Sequence, residues 1–160
     1  MSKILVVYFS ASGVTRRAAK SLAEAAGADI YEIAPPIPYT KADLDWRDKG
    51  SRSSIEMNDK SSRPAIVDTD ANVGAYDTVF VGFPIWWYIA PTIVNTFLEK
   101  YDFSGKTIVP FATSGGSGFG ETVKYLKVSV SPSAKMLEGK LLNGGLSKES
   151  LIKWVENIVK

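Results

Sequence analysis

Three short stretches carry most of the side chains that can do chemistry: Ser10-Ala-Ser-Gly-Val-Thr15, Pro84-Ile-Trp-Trp-Tyr88 and Thr113-Ser-Gly-Gly-Ser-Gly118. The first follows an unbroken apolar run, Ile4 to Phe9, and leads into helical spacing. Where a strand turns into a helix, the first amides of the helix have no intrahelical acceptor, and the helix dipole adds roughly half a positive charge. Ser10, Ser12 and Thr15 supply hydroxyl donors there, and Gly13 lets the backbone come close. Such a junction cradles an anion. Helix capping by Ser10 or Ser12 would explain one hydroxyl, not three and a glycine. The pattern G-x-x-x-x-G-K-[ST] is absent, so the loop suits a terminal monophosphate rather than a nucleoside triphosphate with magnesium.

The second stretch is an aromatic turn. Trp86, Trp87 and Tyr88 cannot all point inward from a tight turn, so at least one is left to a ligand. A flat aromatic ligand would stack or lie edge-on there, a contact worth around 1 kcal/mol beyond the area buried. In the third stretch, Gly115, Gly116, Gly118 and Gly120 allow backbone amides to approach a polar ring edge. These glycines do not satisfy G-x-G-x-x-G, and G-x-S-x-G is not met around Ser117. One monophosphate, one flat ring and one polar ring edge outline flavin mononucleotide (FMN).

Composition narrows the chemistry further. The 160 residues are 45% hydrophobic, enough for one sizeable core, and a single domain over 1–160 is expected. Without cysteine there is no thiolate nucleophile or Cys-based metal site, and without histidine the commonest general base and metal ligand is missing. No catalytic side chain and no metal ligand set is therefore assigned. A net charge of +2 predicts binding neither to nucleic acid nor to a membrane surface. The opening apolar run is too short for a signal-peptide core or a membrane span, so a cytoplasmic location is expected.

The elements that must position these stretches follow from periodicity. Ile4–Phe9, Thr78–Phe83 and Thr107–Ala112 are continuously apolar, as strands buried on both faces are. Asp29–Ala34 is a weaker strand, and Lys135–Leu142, interrupted by Gly139, fits a sheet edge. Helical spacing places Val14, Ala18 and Leu22 on one face, opens a second helix at Pro91, and recurs from Leu151 to Val159. Strands alternating with helices predict a doubly wound α/β fold with a five-stranded parallel sheet, order 2-1-3-4-5, and helices on both faces. The last helix should cover the first strand. Ligands of such sheets bind beyond the carboxyl ends of the strands where the order reverses, here between the first and third. An irregular insertion at about 35–75, with proline-rich "PPIPY" and one helix after Asp43, brings Tyr39, Trp46, Arg47, Arg52 and Arg63 into range of a site role.

The chain resembles the flavodoxin family over nearly its whole length. Ser10-Ala-Ser-Gly-Val-Thr15 is similar to the family's hydroxyl-rich phosphate loop, and "GFPIWWYIAP" and "PFATSGGSG" resemble a bacterial flavodoxin-like subgroup. The resemblance implies that Ser10, Ser12, Gly13, Val14 and Thr15 bind the FMN phosphate. It implies that Pro84, Ile85, Trp86 and Trp87 flank the isoalloxazine, and that Thr113, Ser114, Gly115, Gly116 and Gly118 line the ring edge. It implies electron transfer with a redox partner protein or a small-molecule acceptor. Soluble carriers of the family are typically strongly acidic, whereas this chain is slightly basic. An NAD(P)H-dependent FMN quinone or small-molecule reductase is therefore the first alternative, and a non-catalytic FMN-bearing interaction module the second. A phospho-receiver domain is excluded: its acidic positions after the first and third strands hold Ser10 and Pro84.

Overall fold

The computed structural model describes residues 3–86, 89–114, 120–142 and 147–159. Three apolar runs become the central strands, β1 (Ile4–Tyr8), β3 (Thr78–Pro84) and β4 (Thr107–Thr113), with β2 (Asp29–Glu32) outside β1. The named strands pair in parallel in the order β2-β1-β3-β4, with β5 (Lys135–Met136) outside β4, as the alternation of elements predicts.

Successive side chains of the central strands point to opposite faces, and each face meets its own helices. Leu5, Val7, Val79, Val81 and Ile108 pack with Ile93, Val94, Phe97 and Leu98 of α3 (Thr92–Lys100) and Leu126 of α4 (Thr122–Lys127). Val6, Tyr8, Phe80, Val109 and Phe111 pack on the other side with Ala19 and Leu22 of α1 (Val14–Ala26) and Leu151 and Val155 of α5 (Lys148–Val159). The last helix thus joins β1 across one face. Gly82 is the tight point of the sheet: a Cβ there would lie 2.1 Å from the Phe111 ring.

Two predicted elements differ in detail. The fifth strand is split into β5 (Lys135–Met136) and β6 (Lys140–Leu141), both paired with β4. Ile108 and Ala112 of β4 accept amides of Leu137 and Leu142, so Pro110, in phase with them, turns its backbone to the same side but has no N–H to give. Gly139 crosses at that gap with φ 81°, where a Cβ would stand 2.2 Å from the Pro110 carbonyl oxygen. The second difference is the phase of α1. Its inner face carries Thr15, Ala19, Leu22 and Ala23, whereas Val14 is 47% exposed. Thr15, not Val14, takes the inward place because its hydroxyl has a buried partner on β4.

Between β2 and β3 the chain makes its long excursion, with α2 (Arg52–Asn58) capped by Ser51, whose side chain accepts from the Ser54 amide. This segment is tied to the body at several points. Ala34 bridges Val67, the Ser62 and Thr92 hydroxyls lie 2.7 Å apart, Arg63 pairs with Glu99 at 2.9 Å, and Ala71 donates to the Tyr101 hydroxyl at 3.1 Å.

Candidate functional site

The loops leaving β1, β3 and β4 meet at one edge of the sheet because the strands end in register: Tyr8 lies opposite Gly82, and Pro84 opposite Thr113. In the first loop the Ser10 side chain accepts the Gly13 amide at 3.0 Å, and Gly13 takes φ 95°, which starts α1. That conformation is strained for any residue with a Cβ. Arg17 closes the first helical hydrogen bond onto the Gly13 carbonyl at 3.2 Å. Among the described residues, the amides of Ala11, Ser12, Val14, Thr15 and Arg16 have no acceptor. These donors, gathered around a glycine at a helix N-terminus, match a small anion.

The hydroxyls divide the work. Ser12 is exposed and Ser10 half-buried, whereas Thr15 is 2% exposed, with its Oγ1 2.8 Å from Oγ1 of buried Thr113. Two hydroxyls hold two protons, and their mutual bond uses one, so the pair keeps one to give to a third group. Thr113, expected along a ring edge, therefore ends β4 with its hydroxyl on Thr15. Of the arginines beside the loop, Arg16 is paired with Glu32 at 2.7 Å, and that carboxylate raises its already high pKa. Arg17 has no acidic partner among the described residues, and its Nη1 lies 3.9 Å from where a Cβ on Gly13 would stand.

On the other side of the edge, Ile85 donates its amide to the Thr113 carbonyl at 2.9 Å, which joins the second loop to the end of β4. Trp86 and Ile89 exchange backbone hydrogen bonds at 2.9 and 3.2 Å. Trp86 is half-buried and closes a triangle of rings with Phe9 and Tyr39, at centroid distances of 5.8 and 5.5 Å, the Phe9–Tyr39 side being 5.6 Å. Ser114 is half-buried and engaged. Trp87, Gly115, Gly116 and Gly118 lie outside the described residues.

Of the five excursion side chains, Tyr39 joins this edge directly and Arg52 supports it; the other three do not. Trp46 is 70% exposed, Arg47 has no partner beyond neighbouring Asp45 among the described residues, and Arg63 is held by Glu99. The Arg52 guanidinium sits 3.8 Å above the Tyr39 ring, and the Tyr39 hydroxyl donates to Glu56 at 2.5 Å. Burial and that carboxylate push the phenol well above its ordinary pKa. Arg52, Glu56 and Asp43 also line a cavity of about 430 Å³, but their charges already face one another. Phe9 was legible only as part of a strand, and nothing in the sequence marked it as a neighbour of Trp86.

Chemically, this edge offers anion binding beside an indole wall. Among the described residues no group of His, Cys, Asp or Glu could hold a metal ion, and no helix is long and apolar enough to cross a membrane.

Comparison with known proteins places the chain in a family. No curated protein matches the chain. A crystal structure of a candidate flavoprotein from Bacteroides eggerthii is 52% identical, covers 100% of this chain and 99% of its own, and superposes with a TM-score of 0.92. One from Bacteroides uniformis is 51% identical over 97% of this chain and 98% of its own, with a TM-score of 0.89. A flavoprotein from Lactobacillus acidophilus, solved in complex with FMN, shares the fold at a TM-score of 0.70, with 20% identity over 97% of this chain and 99% of its own. The Flavodoxin family profile matches residues 3–158. With that profile spanning nearly every residue and half-identical structures superposing end to end, the chain belongs to the flavodoxin family.

Proposed function

We propose that the protein binds FMN at this edge and serves in electron transfer. The observation that carries the reading is the cluster of amides of Ala11, Ser12, Val14, Thr15 and Arg16, without acceptors among the described residues and folded around Gly13 on the same sheet edge as Trp86. A phosphate monoester fits it in charge and in donor count. Val14 contributes through its amide, which is why its side chain can be exposed. Thr15 gives or shares a proton with its hydroxyl, and the dipole of α1 favours the anion. Trp86, which follows Pro84 and Ile85 in the same loop, supplies an apolar wall in this reading.

The FMN, when bound, would supply the redox chemistry by accepting and returning electrons. The protein's part is to hold the phosphate, orient the ring and set the charge around it. Here the charge is not strongly negative: Arg17 lies beside the phosphate loop and the chain carries +2 overall. A less negative surround disfavours an anionic reduced ring less than the acidic surface of a carrier does. That observation favours, as a second reading, an NAD(P)H-dependent reductase of a quinone or another small acceptor. It also makes docking to a basic partner protein less favourable.

The test is a pair of titrations. Wild-type protein should bind FMN and turn yellow, and it should bind riboflavin more weakly. Thr15→Ala should weaken FMN about tenfold, the scale of one charge-assisted hydrogen bond, and leave riboflavin unchanged. Equal losses for both flavins would refute the phosphate assignment. Rapid bleaching of the bound flavin by NADPH would select the reductase over the carrier.

A further inference from the structure

We propose that Tyr39 is a positioning residue for the flavin wall: the long excursion reaches back to the sheet edge to hold Trp86 in place. The inference rests on the FMN reading and extends it to a segment which that reading leaves without a role. Tyr39 belongs to none of the three ligand loops. It arrives from the proline-rich stretch after β2 and sits over the carboxyl ends of β1 and β3, where the strand order reverses.

The geometry has two sides. Toward the site, Tyr39 meets Phe9 and Trp86 edge-on, with interplanar angles of 69° and 71°, while Phe9 and Trp86 meet at 88°. Three rings in mutual edge contact leave the indole few orientations, because rotating it breaks contact with both neighbours. Toward the excursion, Tyr39 is held by a charged frame. Arg52 lies over its face at 3.8 Å, and Glu56 accepts its hydroxyl proton at 2.5 Å. Arg52 is itself fixed by Glu56 at 3.5 Å, by Asp43 at 3.7 Å and by the Ile37 carbonyl at 2.9 Å. A cation stacked on one face of the phenol and an anion at its tip leave it little freedom. The excursion is anchored at Ser62–Thr92 and Arg63–Glu99, so the frame is referenced to α3 and the sheet rather than to solvent.

A wall held in advance binds a ring without first paying to order it. Removal of the Tyr39 ring should therefore affect FMN and riboflavin alike, because both carry the isoalloxazine, and should leave the phosphate loop untouched. The experiment titrates wild-type protein, Tyr39→Leu and Tyr39→Phe with both flavins, and measures the emission of the bound flavin, which a close indole quenches. Tyr39→Leu should weaken both flavins about tenfold and brighten the bound flavin. Tyr39→Phe keeps the ring and should bind both within about twofold of wild type. Arg52→Met, which keeps the tyrosine but removes its cation, should brighten the bound flavin less than Tyr39→Leu does, and it gives a reading even where Tyr39→Leu fails to fold. Wild-type affinity and emission in Tyr39→Leu would overturn the proposal, as would unchanged emission in Arg52→Met or a Tyr39→Phe defect as large as the leucine one. Loss restricted to FMN would also overturn it, by tracing the effect to the phosphate loop. Failure of wild-type protein to bind either flavin would instead remove the FMN reading, and this proposal with it.

Discussion

The proposed phosphate side and the proposed ring side of this sheet edge are built in opposite ways. On the phosphate side, Ser10 to Arg16 fold on themselves: Ser10 holds the Gly13 amide, Gly13 supplies the positive φ, and the free donors come from neighbouring residues. On the ring side, Trp86 is oriented by Phe9 from the end of β1 and by Tyr39 from the excursion, both far away in sequence. A local turn needs little loop closure, whereas a cluster of distant rings exists only once the sheet has formed and the excursion has docked. The first should therefore tolerate change elsewhere in the molecule, and the second should report it. The hydroxyls of Thr15 and Thr113 link the first loop to the end of β4.

Three measurements would break or sharpen this contrast. The largest effect is expected from Gly82→Ala, whose new Cβ would fall 2.1 Å from the buried Phe111 ring in the centre of the sheet. Overpacking of this kind costs about 3 kcal/mol, so the melting temperature should drop by several degrees, and FMN and riboflavin should weaken by the same factor because the loss falls on the ring contact they share. Preservation of FMN affinity in a strongly destabilised Gly82→Ala protein would show that the edge does not depend on the strands beneath it.

A smaller effect is expected from Thr113→Val, which keeps the shape but removes the hydroxyl that meets Thr15. The cost should be about 1 kcal/mol in stability, with FMN weakened several-fold and riboflavin spared, since the loss falls on the phosphate side. If FMN affinity holds, the loop is self-sufficient and the contrast between the two sides is sharper than drawn. If riboflavin suffers equally, Thr113 belongs to the ring edge after all.

The smallest effect is expected at alkaline pH and concerns the ring side alone. The folded-state pKa of Tyr39 is raised above its ordinary value of 10.0 by burial and by Glu56. A group whose folded pKa is raised contributes its full stability below the unfolded value and loses it as pH climbs from there toward the folded one. Chemical denaturation should thus show wild-type protein weakening above about pH 10, and Tyr39→Phe weakening less steeply. Parallel curves for the two proteins would mean that the phenol is not the group being titrated. Tyr76 and Tyr101, whose pKa values are also raised by carboxylate partners and by burial, contribute the same background to both proteins.

How much of this was legible in the sequence depended on the range of the interactions. The three central strands could be read because burial on both faces leaves no polar residue to interrupt Ile4–Phe9, Thr78–Phe83 or Thr107–Ala112. The face of α1 was read one residue out of phase, since the hydroxyl of Thr15 looks polar until Thr113 is seen opposite it. The split of the fifth strand was signalled by Gly139, but its cause, the missing N–H of Pro110, lies on the neighbouring strand. Short α4 was missed, its six residues being too few to establish a period.

Residue order alone determined the sheet, its strand order and the glycine turn that opens the first helix, because burial, alternation and helix-end chemistry act between residues close along the chain. Only the folded molecule decided that Tyr39 rather than Trp46 reaches the site, and that Trp86 is flanked by Phe9. The reason is physical: ring contacts and hydroxyl pairs depend on separation in space, and the distance between Tyr39 and Trp86 is set by where an irregular excursion docks, which no periodicity encodes.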